Sequence, residues 1–229
     1  IMNPYDWYQE NNIELINNDP VEKVDKENKI VTTSKGIEVE YDICIFATGS
    51  KAFVLPIPGS NLPSVIGWRT IDDTNKMIEI AQTKKRAVVI GGGLLGLECA
   101  RGLLDQGMEV TVLHLADWLM EMQLDRKAGE MLKADLEKQG MKIELQANSK
   151  EIIGDKDVEA IKLADGRVIE TDLVVMAVGI RPYTEVAKDS GLDVNRGIVV
   201  NDYMQTSDSH IYAVGECAEH DGKVYGLVA

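Results

Sequence analysis

Gly91, Gly93 and Gly96 stand at G-x-G-x-x-G spacing, directly after the apolar run Ala87-Val88-Val89-Ile90 and at the head of a helical pattern from Leu94 to Gln106. A helix start leaves backbone N–H groups unpaired, and the helix dipole favours negative charge there, so such a turn can hold a pyrophosphate. The glycine spacing alone is weak evidence, because ordinary turns share it. Strand, turn and helix in that order make it specific. Gly91 permits the tight turn, Gly93 lets the backbone approach the pyrophosphate, and Gly96 lets helix and strand pack closely. The chemistry indicated is binding of a dinucleotide through its pyrophosphate, a task that needs no side-chain nucleophile or acid-base pair. Accordingly no catalytic residue is assigned: the three histidines lack a Ser or Cys partner, and no paired carboxylates fall at a legible spacing. Cys44, Cys99 and Cys217 are far apart, with no C-x-x-C pair and no His at ligand spacing. They read as small buried hydrophobes, with neither a disulfide framework nor a metal site.

The elements that position this turn occur within a duplicated phrase. Gly36-Ile-Glu-Val-Glu-Tyr-Asp-Ile-Cys-Ile-Phe-Ala-Thr-Gly49 and Gly166-Arg-Val-Ile-Glu-Thr-Asp-Leu-Val-Val-Met-Ala-Val-Gly179 are offset by 130 residues (166 − 36), with Gly, Glu, Asp, Ala and Gly in register. Self-similarity at this scale predicts duplicated architecture. Only the second copy follows a glycine fingerprint. The same offset from Gly91 falls upstream of Ile1, and the first 48 residues hold one glycine, Gly36. An N-terminal strand-turn-helix unit is therefore expected to be missing.

The pattern divides into three blocks. Residues 1–65 carry strands near Val21 to Val24, Lys29 to Thr33 and Tyr41 to Phe46, and Pro56, Pro58 and Pro63 mark a crossover linker. Residues 66–181 form the nucleotide domain, with helices near Asp72 to Gln82, Leu94 to Gln106 and Arg126 to Gln139, and strands Glu109 to His114, Lys142 to Leu145 and Leu173 to Val178. Val158 to Leu163 and Arg167 to Glu170 read as a hairpin turning at Asp165-Gly166. Residues 182–229 rejoin the first block through a strand at Ile211 to Val214. An α/β fold of two lobes results, one of them discontinuous.

With 38 acidic against 24 basic residues and a net charge of −14, the chain lacks the basic surface that a polyanion requires, which excludes nucleic acid as partner. No apolar run approaches a membrane span. At 229 residues and 45% hydrophobic, it is long enough for one large or two smaller cores, and fits a soluble cytoplasmic enzyme.

Ala47-Thr48-Gly49, the Gly91 to Gly96 turn, Gly179 and Thr206-x-x-x-x-Ile211-Tyr-Ala-Val-Gly215 resemble the pyridine-nucleotide flavoprotein reductases over nearly the whole chain. More narrowly, Asp6-Trp7-Tyr8, Trp68-Arg69-Thr70-Ile71-Asp72-Asp73, Gly92 to Glu98, Val112-Leu113-His114-Leu115-Ala116 and Gly215-Glu216-Cys217 resemble the assimilatory nitrite reductase large subunits. The resemblance implies a Rossmann-like three-layer NAD(P) domain inserted in a partial FAD-binding domain of the disulfide-reductase type. It also implies FAD as hydride acceptor, with electrons passing to a sirohaem and an iron-sulfur cluster in further domains, or to a small redox subunit, none of it in this chain.

Carried over position by position, the resemblance places Leu94 and Leu95 beside pyrophosphate and nicotinamide, Glu98 at the carboxamide or free in solvent, and Gly179 where a side chain would obstruct the dinucleotide. Thr48 and Gly49 would meet the FAD pyrophosphate, Gly215 and Glu216 the ribityl chain, and Val21 the adenine through its backbone. Glu216 replaces the usual Asp, and its extra methylene reaches the same hydroxyl only if the backbone sits back. His114 is a departure: it stands about 18 residues after Gly96, where NAD-preferring sites offer a carboxylate to the ribose. Loss of that carboxylate removes repulsion toward a 2′-phosphate, so NADPH is expected to be accepted, unless Asp117 or Glu121 restores NAD preference. A strand-end histidine touching no ligand is the alternative.

With the first phosphate-binding unit missing, weak or no FAD retention is expected, and the uncovered sheet edge is expected to promote self-association. Three functional readings follow: the NAD(P)H-oxidising portion of a nitrite reductase, a reductase of a small carrier such as ferredoxin or rubredoxin, or a nucleotide-binding module without turnover.

Overall fold

A computed structural model describes residues 3–225. The chain forms two compact units: Ile1–Ser50 with Pro182–Ala229, and Lys51–Arg181. Residues 51–65, expected with the first segment, belong to the second unit. Their apolar members decide this, since Leu55, Ile57, Leu62 and Val65 pack on the core of the second unit and Pro58 O accepts from Ile152 N at 2.8 Å.

The second unit is built on a five-stranded parallel sheet in the order Val65–Gly67, Leu173–Met176, Arg86–Ile90, Glu109–Leu113, Lys142–Glu144. Its central strands are mostly apolar, Arg86, Glu109 and Thr111 apart, because both faces are covered. Ala87, Val89, Val110, Val112, Leu173 and Val175 face a helical layer contributing Met77, Cys99, Ala100 and Leu103. Val88, Ile90, Leu113, Val174 and Met176 face the opposite way, onto Ile152, Ile161 and Leu163. Those last three come from an antiparallel sheet of Ser149–Ile153, Ala160–Leu163 and Val168–Glu170. The period-2 alternation of the strands thus sorts one apolar run into two cores, and each fully buried Val or Leu stabilises the unit by about 1.5–3 kcal/mol.

Local chemistry sets the helix boundaries. Thr70 caps Ile71–Ala81 through a reciprocal pair in which its hydroxyl accepts from Asp73 N at 3.2 Å and Asp73 Oδ2 accepts from Thr70 N at 2.7 Å. Asp125 caps Arg126–Lys138 by accepting from Ala128 N at 2.9 Å.

The first unit is made of smaller pieces. Val21–Asp25, Ile30–Thr33 and Glu38–Glu40 form an antiparallel sheet, Cys44–Phe46 pairs in parallel with Ile211–Ala213, and Ile198–Val200, Ala218–His220 and Lys223–Val224 form a third sheet. Phe46, Ala187, Ile198, Ile211, Ala213 and Cys217 fill its core. Among the described residues, no helix of either unit is long and apolar enough to cross a membrane.

The duplicated phrase is duplicated in hydrogen bonding. Gly36 N donates to Thr33 O, and Gly166 N to Leu163 O; Tyr41 N donates to Lys29 O, and Thr171 N to Glu159 O. Each phrase makes the third strand of an antiparallel sheet and then enters a parallel one, as Cys44–Phe46 or Leu173–Met176. Each ends on a glycine with positive φ, +64° at Gly49 and +106° at Gly179. The copies differ on one side. Leu173–Met176 is flanked by the fingerprint strand Arg86–Ile90, whereas among the described residues Cys44–Phe46 has a single strand partner and an exposed Ile45.

Candidate functional site

The glycine turn sits at the C-terminal end of Arg86–Ile90, near the centre of the parallel sheet, which is where open α/β sheets bind ligands. Each fingerprint glycine has a separate steric reason. Gly91 has φ +120°, and a Cβ there would lie 2.3 Å from Ala177 O. A Cβ on Gly96 would lie 1.9 Å from Gly91 O, so this glycine lets the helix seat on the turn. Gly93 differs from both, with extended backbone and nothing within 4 Å of where its Cβ would be. Its open side is available to a ligand.

Gly93 is also the N-cap of Leu94–Asp105, and no side chain caps that helix. The other two helices of the unit are capped by Thr70 and Asp125. The fingerprint helix therefore keeps its first-turn amides for an external acceptor, with the positive end of the dipole behind them. A cleft of about 530 Å³ opens beside the turn, lined among others by Phe53, Leu55, Gly91, Gly92, Gly93 and Val178. Leu94 and Leu95 are exposed at the helix start. Glu98 is exposed one turn further on and does not line the cleft. Gly179 follows Ala177 and Val178, which do line it, and a Cβ on Gly179 would meet nothing within 4 Å.

His114 has a task that the sequence reading did not anticipate. The ring is 7% exposed, and its Nδ1 accepts from Gly92 N at 3.0 Å. An amide can only donate, so the ring hydrogen is on Nε2, which lies 2.9 Å from Glu121 Oε2. Both nitrogens are committed within the protein. A carboxylate, that of Glu121 seven residues along the chain, is thus held beside the strand end that His114 occupies.

In the first unit, the parallel pairing of Cys44–Phe46 with Ile211–Ala213 brings the loops after both strands together. Thr48 Oγ1 donates to Tyr183 O at 2.9 Å, and Tyr183 N donates to Gly49 O. Gly215, with φ +73°, opens a short 3-10 turn that presents Glu216, whose Oε2 accepts from Ser50 Oγ at 2.7 Å. Thr48, Gly49, Gly215 and Glu216 are thereby grouped at one end of that sheet. Val21 comes from a different sheet, and lines with Thr48, Val24 and Phe46 an apolar cleft of about 490 Å³.

The pyridine nucleotide-disulphide oxidoreductase family model matches residues 6–228. The chain belongs to this family. It is 58% identical over 228 residues to a nitrite reductase [NAD(P)H] of Bacillus subtilis, covering all of this chain and 28% of that protein. It is 45% identical to an assimilatory nitrate reductase electron transfer subunit of the same organism, covering all of this chain and 30% of that protein. Among solved structures, a ferredoxin reductase from Rhodopseudomonas palustris superposes with a TM-score of 0.91 at 32% identity, over 96% of this chain and 55% of that one. The chain thus spans about a third or less of these two curated relatives. Membership of the pyridine nucleotide-disulphide oxidoreductase family agrees with the Rossmann-like fold seen here.

Sequence reasoning missed several cleft residues. Phe53 and Leu55 lie in the proline-containing stretch read as a linker, and Arg181 stacks 4.3 Å above the Phe53 ring. Met122 and Gln123 line the cleft from an irregular segment with no periodicity to mark it. The doublet Asn148-Ser149 enters through the strand Ser149–Ile153, whose polar start hid it.

Proposed function

We propose that Lys51–Arg181 binds a reduced nicotinamide dinucleotide and that the chain is the NAD(P)H-oxidising portion of a flavoprotein reductase. The observation that carries this reading is the uncapped helix start behind Gly93, beside a cleft at the strand ends. Gly91 and Gly96 hold the turn, the amides at the head of Leu94–Asp105 receive the pyrophosphate, and Leu94 and Leu95 cover it. Gly179 leaves space for the nicotinamide portion, while Glu98, exposed and outside the cleft lining, is assigned to solvent.

Flavin contacts fall to the first unit. Thr48 and Gly49 would approach the FAD pyrophosphate, Gly215 and Glu216 the ribityl chain, and Val21 the adenine by its backbone. A bound flavin supplies a two-electron acceptor for the hydride. The residues fit it in part: among the described residues, the first unit has no glycine turn leading into a helix longer than the six residues of Tyr5–Glu10. The protein's share is alignment and exclusion of water, and no side chain is needed as acid, base or nucleophile.

The likeness to the B. subtilis nitrite reductase supports onward delivery of electrons toward nitrite, with sirohaem and iron-sulfur centres as the carriers that the family resemblance implies. The likeness to a ferredoxin reductase supports a second reading, delivery to a small redox protein. Both share the same first step. A diaphorase assay with NADH or NADPH, added FAD and ferricyanide tests that step, and dinucleotide binding with no turnover at saturating FAD would refute it.

A further inference from the structure

We infer that Glu121, positioned by His114, makes this cleft select a dinucleotide whose adenosine ribose carries a free 2′-hydroxyl, so that NADH is bound in preference to NADPH. The inference rests on the dinucleotide reading above and deepens it.

The segment carrying Glu121 is tied to the fingerprint turn twice. Gly92 N donates to His114 Nδ1 at 3.0 Å, and Met120 N donates to Gly92 O at 3.1 Å. Gly92 itself has no room for a side chain: a Cβ would lie 2.6 Å from Leu119 Cδ2 and 2.7 Å from His114 Cγ. Leu119 is fully buried, which anchors the segment from below. Met120 takes a left-handed conformation, φ +58°, and the chain turns there to bring Glu121 to the cleft wall.

His114 then fixes the carboxylate. Its Nε2–H donates to Glu121 Oε2 at 2.9 Å, while Oε1 has no protein partner among the described residues. A carboxylate held at one oxygen and open at the other can accept from ribose hydroxyls, as the acidic residue at the second strand end does in other dinucleotide folds. Here it arrives 25 residues after Gly96 (121 − 96), from a loop rather than from the strand end, which His114 occupies.

A 2′-phosphate would meet the opposite of what it needs. None of the described residues lining the cleft is Lys or Arg. The nearest basic residue in sequence, Arg126, is engaged by Asp117 and stacks 4.7 Å from the Trp118 ring. The phosphate would face Glu121 with no cation among the described residues that line the cleft, since Arg181 stacks on Phe53 without itself lining it, and like charges at short range repel.

The test is titration of the 229-residue chain with NADH and with NADPH at one ionic strength, followed by calorimetry or by protein fluorescence. NADH is expected to bind at least tenfold more tightly. Glu121→Gln keeps an oxygen for the His114 hydrogen bond while removing the charge, and should bring the two affinities to within about threefold, chiefly by strengthening NADPH. His114→Asn, which can still accept from Gly92 N but cannot reach Glu121, should narrow the ratio without weakening NADPH; a merely structural defect would weaken both dinucleotides alike. Equal or tighter NADPH binding by the wild-type chain, or an unchanged ratio in Glu121→Gln, overturns the inference and leaves the dinucleotide reading standing. Failure of both dinucleotides to bind overturns that reading, and the inference with it.

Discussion

Gly93→Ala separates ligand binding from folding. Gly93 has extended backbone that any residue adopts, and its Cβ would meet no atom within 4 Å, so the substitution introduces neither strain nor a clash. Two small effects oppose each other: restricting the unfolded chain stabilises by about 0.4–1 kcal/mol, and alanine is the poorer N-cap by a comparable amount. The melting temperature should stay within about 2–4 °C of wild type, the shift for about 1 kcal/mol at this size. Binding should respond differently, because the added methyl fills the side on which the pyrophosphate approaches the helix amides. Losing one hydrogen bond to a charged group costs about 1.5–3 kcal/mol, hence a ten- to hundredfold weaker NADH complex. Calorimetry on the two proteins, with a thermal melt as control, makes the measurement. Unchanged NADH affinity in a normally folded Gly93→Ala protein would falsify the assignment of this turn to the pyrophosphate.

Gly96→Ala should do the reverse, destabilising the second unit by about 2–3 kcal/mol through the 1.9 Å approach to Gly91 O, read as a lowered melting transition. Asp172 carries an acid-stability prediction. Hydrogen bonds from the Arg86 guanidinium, outweighing the cost of partial burial, hold its carboxyl down to about 2 from an ordinary 3.8. A depressed folded value contributes stability that is present above about pH 4 and lost as pH falls toward 2; at most about 2.5 kcal/mol is involved. Urea unfolding between pH 2 and 6 should show this loss in the wild type and a smaller one in Asp172→Asn. Purified without added flavin, the chain should lack stoichiometric flavin absorbance, since among the described residues the first unit has no glycine turn leading into a helix longer than Tyr5–Glu10.

Much of the second unit was legible in the sequence because its signals are local. Residues 87–90 and Leu173–Met176 are continuous apolar runs, Glu109–Leu113 alternates so that Val110 and Val112 share a buried face, and the fingerprint helix begins one residue after Gly93, as the spacing predicts. The hairpin at Gly166 was legible for the same reason, a glycine that needs φ +93° between two strand-like runs. What escaped depends on contacts distant in sequence. Val65–Gly67 is only three residues beside Pro63, and becomes a strand because Leu173–Met176 offers it a partner. The short strands Ile198–Val200 and Ala218–His220 likewise exist through each other. At the site, His114 was noticed for its position, but its role could not be read, because the partners that define it are a backbone amide 22 residues back and a carboxylate on an irregular loop.

The central claim, that the turn at Gly91–Gly96 and the cleft beside it receive a reduced nicotinamide dinucleotide, is tested most directly by titrating the isotopically labelled chain with NADH and following backbone amide resonances. Saturable shifts concentrated at residues 92–96 and 114–123 are predicted. Saturable binding with shifts confined to other residues, or no binding at all, would contradict it.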